Sequence, residues 1–201
     1  MGVGDNVSRE TSERLKIFRD LLTKWNSKIN LVSPSSLLNL ETRHFKDSSQ
    51  VLDIAPPHFE DWVDLGSGGG FPGIIVAILC AELRPKACFK LIESDRRKCA
   101  FLRSVSRETG LSVEIINERI EDIPPLHAEV ISARALAPLN RLLEYVERHL
   151  APEGTAIFLK GEQWQEELRD AQSRWKFKCD AFNSSTSTQA RILRVKEISR
   201  V

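Results

Sequence analysis

The sequence predicts an α/β fold, in which a mostly parallel sheet of seven strands is flanked by helices and preceded by an N-terminal helical extension. Two features of the chain indicate this fold. From residue 61 onward, strand patterns alternate with helix patterns, which is typical of a parallel sheet wrapped by helices. Between the first such strand and the next helix lies a glycine-rich run, residues 64–73, at the position where sheets of this kind bind their ligands.

The N-terminal part of the chain has helical patterns. Apolar residues at helical spacing predict a first helix that ends near Asn26. The pair Ser33-Pro34 is typical of an N-cap followed by the first helical position, and it predicts a second helix or a broken pair of helices. Two prolines in the segment 55–58 indicate a linker. We therefore expect the extension to comprise residues 1–57 and the sheet-containing domain residues 58–201.

The alternating part of the chain contains seven strand patterns and four helix patterns. The strand patterns cover residues 62–65, 88–92, 113–116, 130–133, 155–159, 176–180 and 191–196, the last two as an antiparallel hairpin. The helix patterns cover residues 71–83, 95–109, 139–149 and 163–174. Pro72 suits the first turn of its helix, where an N–H would have no helical partner.

Composition excludes several classes of protein. The 201 residues are 41% hydrophobic and 28% charged, as expected for one globular domain with an appendage. No apolar run approaches the length of a membrane span, and residues 1–5 lack the basic-then-apolar pattern of a secretory leader. The four cysteines include no C-x-x-C pair, so we expect reduced thiols and no metal site. These features predict a cytoplasmic protein, which we expect to be a monomer.

Two ligand motifs overlap in the glycine-rich run. Residues 64–70 read Asp-x-Gly-x-Gly-x-Gly, the first motif of S-adenosylmethionine (AdoMet) methyltransferases, whereas residues 68–73 read Gly-x-Gly-x-x-Gly, which is typical of dinucleotide binding. Asp64 favours AdoMet, because a carboxylate at the strand end attracts a cationic ligand and repels a pyrophosphate. An NAD(P)-dependent oxidoreductase stays an alternative, although the only tyrosine is Tyr145 and no catalytic Tyr-Lys pair is evident.

Polar or apolar residues with a suitable chemistry follow the later strands. Glu93 ends the second strand, where a carboxylate accepts the hydroxyls of a ribose. Ile120 and Glu121 lie after the third strand, where an apolar side chain forms a wall for adenine. Arg134 ends the fourth strand and needs an anion, either the AdoMet carboxylate or a structural ion pair. Lys160 ends the fifth strand, where it contacts RNA phosphate or the target base, or is simply solvated.

Five segments in this order resemble the small-subunit ribosomal RNA guanine-N7 methyltransferase family (RsmG, also called GidB). The segments are Lys24-Trp25-Asn26 with Asn30-Leu31, Arg43-His44 with Asp47-Ser48, residues 66–73, Ala133-Arg134-Ala135 and Leu159-Lys160-Gly161. The resemblance covers nearly the whole chain, except the segment after Arg174, to which we assign no role. Ser132 and Glu129 depart from the family pattern, and we expect neither to touch the chemistry.

The resemblance implies a Rossmann-like class I methyltransferase fold and an enzyme that transfers a methyl group from AdoMet to N7 of guanine 527 in 16S rRNA. The partner is then 16S rRNA or the small ribosomal subunit, with no membrane. The resemblance implies cofactor contacts by five residues: Gly66, Phe71, Ile120, Glu121 and Arg134. Two more are expected from the glycine-rich run and the end of the second strand, namely Gly68 and Glu93. A methyltransferase of another substrate, and a module that senses AdoMet without catalysis, stay open.

The resemblance also places three residues near the transfer site: Arg43, His44 and Lys160. Guanine N7 carries a free lone pair, so we expect no residue to act as an obligate acid or base. Basic residues of the helix 95–109 and of the N-terminal helices are expected to contact RNA phosphates.

Overall fold

The structure, a computed structural model, describes residues 7–201 and contains one sheet of seven strands. The strands are β1 (Asp61–Leu65), β2 (Cys88–Ile92), β3 (Val113–Ile116), β4 (Ala128–Arg134), β5 (Leu150–Lys160), β6 (Trp175–Asn183) and β7 (Arg191–Arg200). The α-helices are α1 (Arg9–Asn26), α2 (Pro34–Leu37), α3 (Lys46–Ser49), α4 (Val51–Ile54), α5 (Gly73–Leu83), α6 (Arg96–Thr109), α7 (Leu139–His149) and α8 (Trp164–Gln172).

The strand order is β3-β2-β1-β4-β5-β7-β6, with β1 to β5 parallel and β7 antiparallel to both of its neighbours. The predicted fold class is confirmed, including the C-terminal hairpin. Asp64 lies opposite Leu91 on one side and Ser132 on the other, so β1, β2 and β4 end at one edge of the sheet. The loops after these strands therefore share that edge, where α/β sheets bind ligands.

The largest difference in a strand boundary is at β5, which starts at Leu150 and not at residue 155 as predicted. Its first four residues are half-buried or exposed and include Pro152 and Glu153. They carry no apolar pattern, and their place in the strand becomes visible only when α7 delivers them beside Ala128 of β4.

The N-terminal extension packs on the sheet domain through aromatic side chains. Phe18 of α1 is fully buried, and its ring centroid lies 5.4 Å from those of Phe45 and Phe71 and 6.3 Å from that of Phe101. These residues belong to one apolar cluster that spans both parts of the chain. The division at residue 57, predicted from the linker, stays a prediction.

The second predicted helix is broken into several short pieces. Ser33 caps α2, and Pro34 is its first residue, as predicted. A π-helical turn, Leu40–Phe45, then leads into α3 and α4. This turn carries the segment that the resemblance places near the transfer site.

The two faces of the sheet are covered by different helices. Trp62 of β1 and Leu91 of β2 belong to the apolar cluster that includes α1, α5 and α6. Val63 and Ile92, the next residues along these strands, belong to the cluster that includes α7. Alternate strand residues thus face opposite layers, as in a sheet that is buried on both sides.

In residues 7–201, no helix has both the length and the apolar character that a membrane crossing requires. The expectation about a secretory leader concerns residues 1–5, which lie outside the described part of the chain. All four cysteines are free, and two of them, Cys80 and Cys99, are buried.

Candidate functional site

The glycine-rich loop turns the chain from β1 into α5 over a short distance. Gly68 has a φ of +53°, a left-handed conformation that side chains disfavour. Phe71 and Pro72 are joined by a cis peptide bond. Helix α5 begins at Gly73, so Pro72 occupies its N-cap. The sequence predicted Pro72 in the first turn of the helix, one position further on. A Cβ on Gly73 would lie 2.8 Å from the Cβ of Asp64, so the helix start packs directly on that side chain.

Asp64 is fully buried beneath this loop. Its Oδ1 accepts a hydrogen bond of 2.6 Å from the Ser132 hydroxyl, which in turn accepts one of 2.9 Å from the Trp62 indole N–H. Burial raises the pKa of Asp64 to about 6, and the hydrogen bond from Ser132 offsets only part of this effect. The carboxyl group is therefore half protonated near pH 6.

The surroundings of this side chain did not follow from the sequence. Asp64 is not among the residues that line the cavity described below, and its attraction for a cationic ligand stays a prediction. Ser132 is the hydrogen-bond partner of this carboxyl group, and the expectation that Ser132 does not touch the chemistry also stays a prediction. Successive residues of a strand face opposite sides of the sheet, and the sequence does not show which side faces a cavity at the end of the strand. A buried polar residue at a strand end therefore could not be distinguished, from the sequence, from a polar residue that lines the cavity.

A cavity of about 370 Å³ lies at the carboxyl edge of β1 to β4. This volume is in the range of ordinary small-ligand sites. It is lined by all seven residues expected to contact the cofactor: Gly66, Gly68, Phe71, Glu93, Ile120, Glu121 and Arg134. Leu31 and Val32 of the N-terminal extension complete its wall. We call this space the small cavity.

Leu31 and Val32 reach the small cavity because Asn26 folds the chain after α1. The Asn26 side-chain oxygen accepts hydrogen bonds of 3.0 Å from both of their backbone N–H groups. The carbonyl oxygen of Leu31 would lie 3.1 Å from a Cβ on Gly69, so the extension is in close contact with the glycine-rich loop. Sequence reasoning did not assign these residues to the cavity.

Glu93 joins the glycine-rich loop to the start of α6. Its Oε2 accepts a 2.9 Å hydrogen bond from the N–H of Gly68, and its Oε1 accepts one of 2.8 Å from the N–H of Asp95. The side chain also lines the small cavity. The carboxylate thus has the chemistry expected for a ribose contact, which stays a prediction.

The loop after β3 is held by the end of α7. His149 is fully buried, and its Nε2 donates a 2.9 Å hydrogen bond to the carbonyl oxygen of Ile120. Arg148 donates two hydrogen bonds, of 3.2 and 2.7 Å, to the carbonyl oxygen of Ile123. Burial lowers the pKa of His149, which favours its neutral form. These two residues fix the wall that Ile120 forms, and nothing in their local sequence pointed to this role.

A larger cavity of about 1160 Å³ adjoins the first. Arg43, His44 and Lys160, the three residues expected near the transfer site, all line it. The segment 134–136 lines both cavities and forms the boundary between them. Ala135 has a φ of +51° there, an uncommon conformation for a residue with a side chain. We call this space the large cavity.

Arg134 is held by three neighbours at the boundary. Its guanidinium carbon lies 5.3 Å from the centre of the Phe71 ring, and Nη1 lies 3.5 Å from Oδ2 of Asp47. Nη2 donates to Nδ1 of His44. The side chain is thus both part of a structural ion pair and part of the small-cavity wall, so the two interpretations drawn from the sequence are compatible.

His44 is buried and neutral. Its ring stacks on Phe71 with 4.9 Å between centroids. Burial, with the positive charges of Arg134 and Arg43, lowers the pKa of His44 to about 4. Since Nδ1 accepts a hydrogen bond from Arg134, the ring proton resides on Nε2. A general base has to take up a proton and become charged. The low pKa of His44 and its hydrogen bond from Arg134 do not suit this role at neutral pH.

Lys160 is paired and not solvated. Its Nζ lies 2.5 Å from Oε2 of Glu167 and donates a 3.0 Å hydrogen bond to the carbonyl oxygen of Ala137. The same Glu167 oxygen accepts the N–H of Leu139 at the start of α7. Lys160 therefore supports the chain just beyond the boundary segment, and its contact with RNA stays a prediction.

The basic residues of α6 lie mostly on its exposed face. Arg96, Arg103 and Arg107 are exposed, whereas Lys98 lines the small cavity. Within residues 7–201, no three His, Cys, Asp or Glu side chains are grouped so that they could hold a metal ion.

Comparison with known proteins identifies relatives over almost the whole chain. The family model described as "GidB: rRNA small subunit methyltransferase G" matches residues 11–193. A protein from Ruegeria pomeroyi named "Ribosomal RNA small subunit methyltransferase G" is 56% identical over 98% of this chain and 96% of its own length. A protein of the same name from Paracoccus denitrificans is 49% identical, over 94% of this chain and 96% of its own length.

Solved structures share the fold at low identity. A SAM-dependent methyltransferase from Aquifex aeolicus superposes with a TM-score of 0.60 at 16% identity, over 90% of this chain and 97% of that chain. A SAM-dependent O-methyltransferase from Thermotoga maritima gives 0.61 at 15%, over 92% and 72%. The antiparallel β7 between β5 and β6 differs from the 3-2-1-4-5-6 order of the dinucleotide fold, which argues against the oxidoreductase alternative.

Proposed function

Because this chain belongs to the GidB family of rRNA small subunit methyltransferases G, and is thus an AdoMet-dependent rRNA methyltransferase, we propose that it methylates N7 of guanine 527 in 16S rRNA. We propose further that it acts in the cytoplasm, as a monomer, on the rRNA or on the small ribosomal subunit.

The observation that carries the proposal is the pair of adjoining cavities with Arg134 between them. A group-transfer enzyme needs two substrates side by side, with the reacting atoms at the boundary. The volume of the small cavity is typical of a small-ligand site, and the greater volume of the large one supports its assignment to a flipped nucleotide and its neighbours. A sensor of AdoMet alone has no use for the second cavity.

The small cavity fits AdoMet in its chemistry. Glu93 offers a carboxylate to the ribose hydroxyls, Ile120 an apolar wall to the adenine, and Arg134 a guanidinium to the carboxylate. The glycine-rich loop allows the ligand to approach the backbone closely. When bound, AdoMet supplies an electrophilic methyl group attached to a sulfonium.

The protein's own residues act by position and not by proton transfer. Guanine N7 is an unprotonated acceptor on the Hoogsteen edge, so nothing has to remove a proton from it. His44, the histidine of the large cavity, is neutral at pH 7 and is engaged with Arg134. Alignment of two bound reactants alone contributes up to roughly 7–11 kcal/mol in well-oriented systems.

RNA binding rests on local charge, because the net charge of the chain is only +1. Arg43 lines the large cavity. Helix α6 carries exposed arginines, and Lys98 near its start lines the small cavity. The target guanine has to leave its stack before N7 reaches the boundary segment, which single-stranded loops of RNA permit.

The test is methyl transfer with labelled AdoMet to small ribosomal subunits that lack the modification, and in parallel to protein-free 16S rRNA. Reduction with borohydride and cleavage with aniline then locates N7-methylguanine in the product. We expect one modified guanine, at position 527. Label at another guanine, at another atom, or in protein would refute the proposal at that level of detail.

A matched pair of variants links the activity to the small cavity. Glu93→Gln weakens the contacts to Gly68 and to the ribose, and we expect at least tenfold weaker AdoMet binding by calorimetry. Glu114→Gln makes the same change on the exposed surface of β3 and should bind AdoMet like the parent chain. Equal affinity in both variants would contradict the assigned ribose contact.

A further inference from the structure

The loop between β6 and β7, residues 184–190, lies against α3 of the N-terminal extension. Oδ1 of Asp47 accepts hydrogen bonds of 3.0 Å from the hydroxyl groups of both Ser184 and Thr186. Beside it, Oε1 of Gln50 accepts a 2.7 Å hydrogen bond from the N–H of Ser185. These contacts join segments that are 135 to 139 residues apart in the chain. The sequence assigned no role to either partner.

This loop is also a wall of the large cavity. Thr186, Ser187 and Ala190 line that cavity, next to the end of β5, where Lys160 pairs with Arg191 of β7. The exposed part of the loop presents hydroxyl and amide groups and carries no charge of its own. Such groups donate hydrogen bonds to phosphate and sugar oxygens, and they tolerate any base.

The second oxygen of Asp47 points to a different partner. Oδ2 lies 3.5 Å from Nη1 of Arg134, and both side chains are 17% exposed. Arg134 contacts the Phe71 ring of the glycine-rich loop and lines both cavities. Asp47 thus serves the large-cavity wall with one oxygen and the boundary between the cavities with the other.

We propose that Asp47 is a positioning residue with two separable arms. Through Oδ2 it holds Arg134 in the orientation that the methyl donor requires. Through Oδ1 it holds the loop 184–190 in place as the wall against which the RNA strand lies. The inference rests on the proposed function, because it assigns the large cavity to RNA.

The two arms call for different variants. Asp47→Asn keeps an acceptor for the two hydroxyl groups but removes the charge that faces Arg134. The double substitution Ser184→Ala with Thr186→Val leaves the carboxylate and its ion pair but removes both hydroxyl donors. Asp180→Asn is the matched control, since it makes the same change on β6 and removes an exposed ion pair with Arg194 of 2.8 Å.

Two affinities are measured for each variant: that for AdoMet by calorimetry and that for the small subunit by filter binding. We expect Asp47→Asn to weaken AdoMet binding roughly tenfold, because the ion-pair partner that orients Arg134 loses its charge. We expect the double variant to weaken subunit binding roughly fivefold and to leave AdoMet binding unchanged. Asp47→Glu, which keeps the charge, should restore AdoMet affinity. Asp180→Asn should change neither.

A purely structural role would give another pattern. If Asp47→Asn lowers the melting temperature but changes neither affinity by more than twofold, the proposal is wrong. It is also wrong if the double variant weakens AdoMet binding as much as Asp47→Asn does. If Asp47→Asn does not fold, the double variant and Asp47→Glu decide the two arms.

The proposed function is judged separately, from the position of the methylated guanine made by the parent chain. A product at another nucleotide would remove that proposal and leave both affinity measurements valid. A parent chain that does not bind the small subunit would overturn the assignment of the loop.

Discussion

Asp64→Asn should make the protein more stable at neutral pH and less able to bind its methyl donor. The carboxyl group is fully buried, and its pKa is raised from 3.8 to about 6. The asparagine keeps the shape of the side chain and an oxygen that accepts the hydrogen bond from Ser132. Asparagine cannot ionise. The variant therefore avoids the free-energy cost of forming a buried carboxylate, which destabilises the folded parent chain at neutral pH.

The sign follows from proton binding in the two states. The unfolded chain releases the Asp64 proton near pH 4, whereas the folded chain keeps it up to about pH 6. Unfolding therefore becomes easier as the pH rises from 4 to 6, and the loss is complete above 6. A pKa difference of about 2 units corresponds to about 3 kcal/mol of unfolding free energy.

Urea unfolding of both forms between pH 4 and 8 measures this effect. All other titrating groups are shared by the two proteins, so the difference between their unfolding free energies isolates Asp64. We expect the parent chain to lose about 3 kcal/mol relative to Asp64→Asn between pH 4 and 7. Asp122→Asn, at an exposed carboxylate, should show no such difference.

The reasoning is refuted if the difference between the parent chain and Asp64→Asn changes by less than about 1 kcal/mol over that range. Calorimetry with AdoMet completes the experiment. A negative charge beneath the glycine-rich loop favours a cationic ligand above it, so the more stable variant should bind AdoMet more weakly. Unchanged affinity would show that Asp64 has no electrostatic effect on the ligand.

Three further changes have outcomes that the structure fixes. Gly73→Ala places a Cβ 2.8 Å from the buried side chain of Asp64 and should cost about 1–3 kcal/mol of stability. In Gly161→Ala the new Cβ meets no atom within 4 Å, so this control should cost little. Equal urea midpoints for the two variants would contradict this expectation. The ring of His44 should titrate near pH 4 by NMR, and a midpoint near 6.5 would place the ring in water and not against its cationic neighbours. Arg96→Gln should reduce the slope of log affinity for rRNA against log salt concentration by about 1. Lys178→Gln, on the exposed surface of β6, should leave this slope unchanged. An equal reduction of the slope in both variants would indicate general electrostatics without a defined phosphate contact at Arg96.

The sequence predicted the sheet because its signals are local. Each parallel strand is a short apolar run. Helices α1, α6, α7 and α8 repeat their apolar residues every three or four positions, and α5 is apolar along its length, whatever lies across from them. Placement at strand ends then followed, since the carboxyl ends of parallel strands share one edge. For this reason Gly66, Glu93, Ile120 and Arg134 could be grouped, and they do line a single cavity.

The environment of each side chain was much less predictable. Asp64 lies fully buried beneath the glycine-rich loop, and Lys160 is paired with Glu167. Neither environment followed from the sequence. Both side chains stand at strand ends, as predicted. Their direction and partners depend on which residues the neighbouring strands and helices bring beside them, and those residues are remote in the chain.

The sequence by itself therefore determined the order of strands and helices, the glycine-rich corner and the residues gathered around it. Only the tertiary structure decided that the N-terminal segment at Leu31 completes the small cavity, and that the loop 184–190 is attached to Asp47 beside the large one. The physical reason is the range of the interactions. Backbone conformation and apolar periodicity act over a few residues, whereas burial, ion pairing and the pKa of a carboxyl group depend on neighbours that only the packed chain supplies.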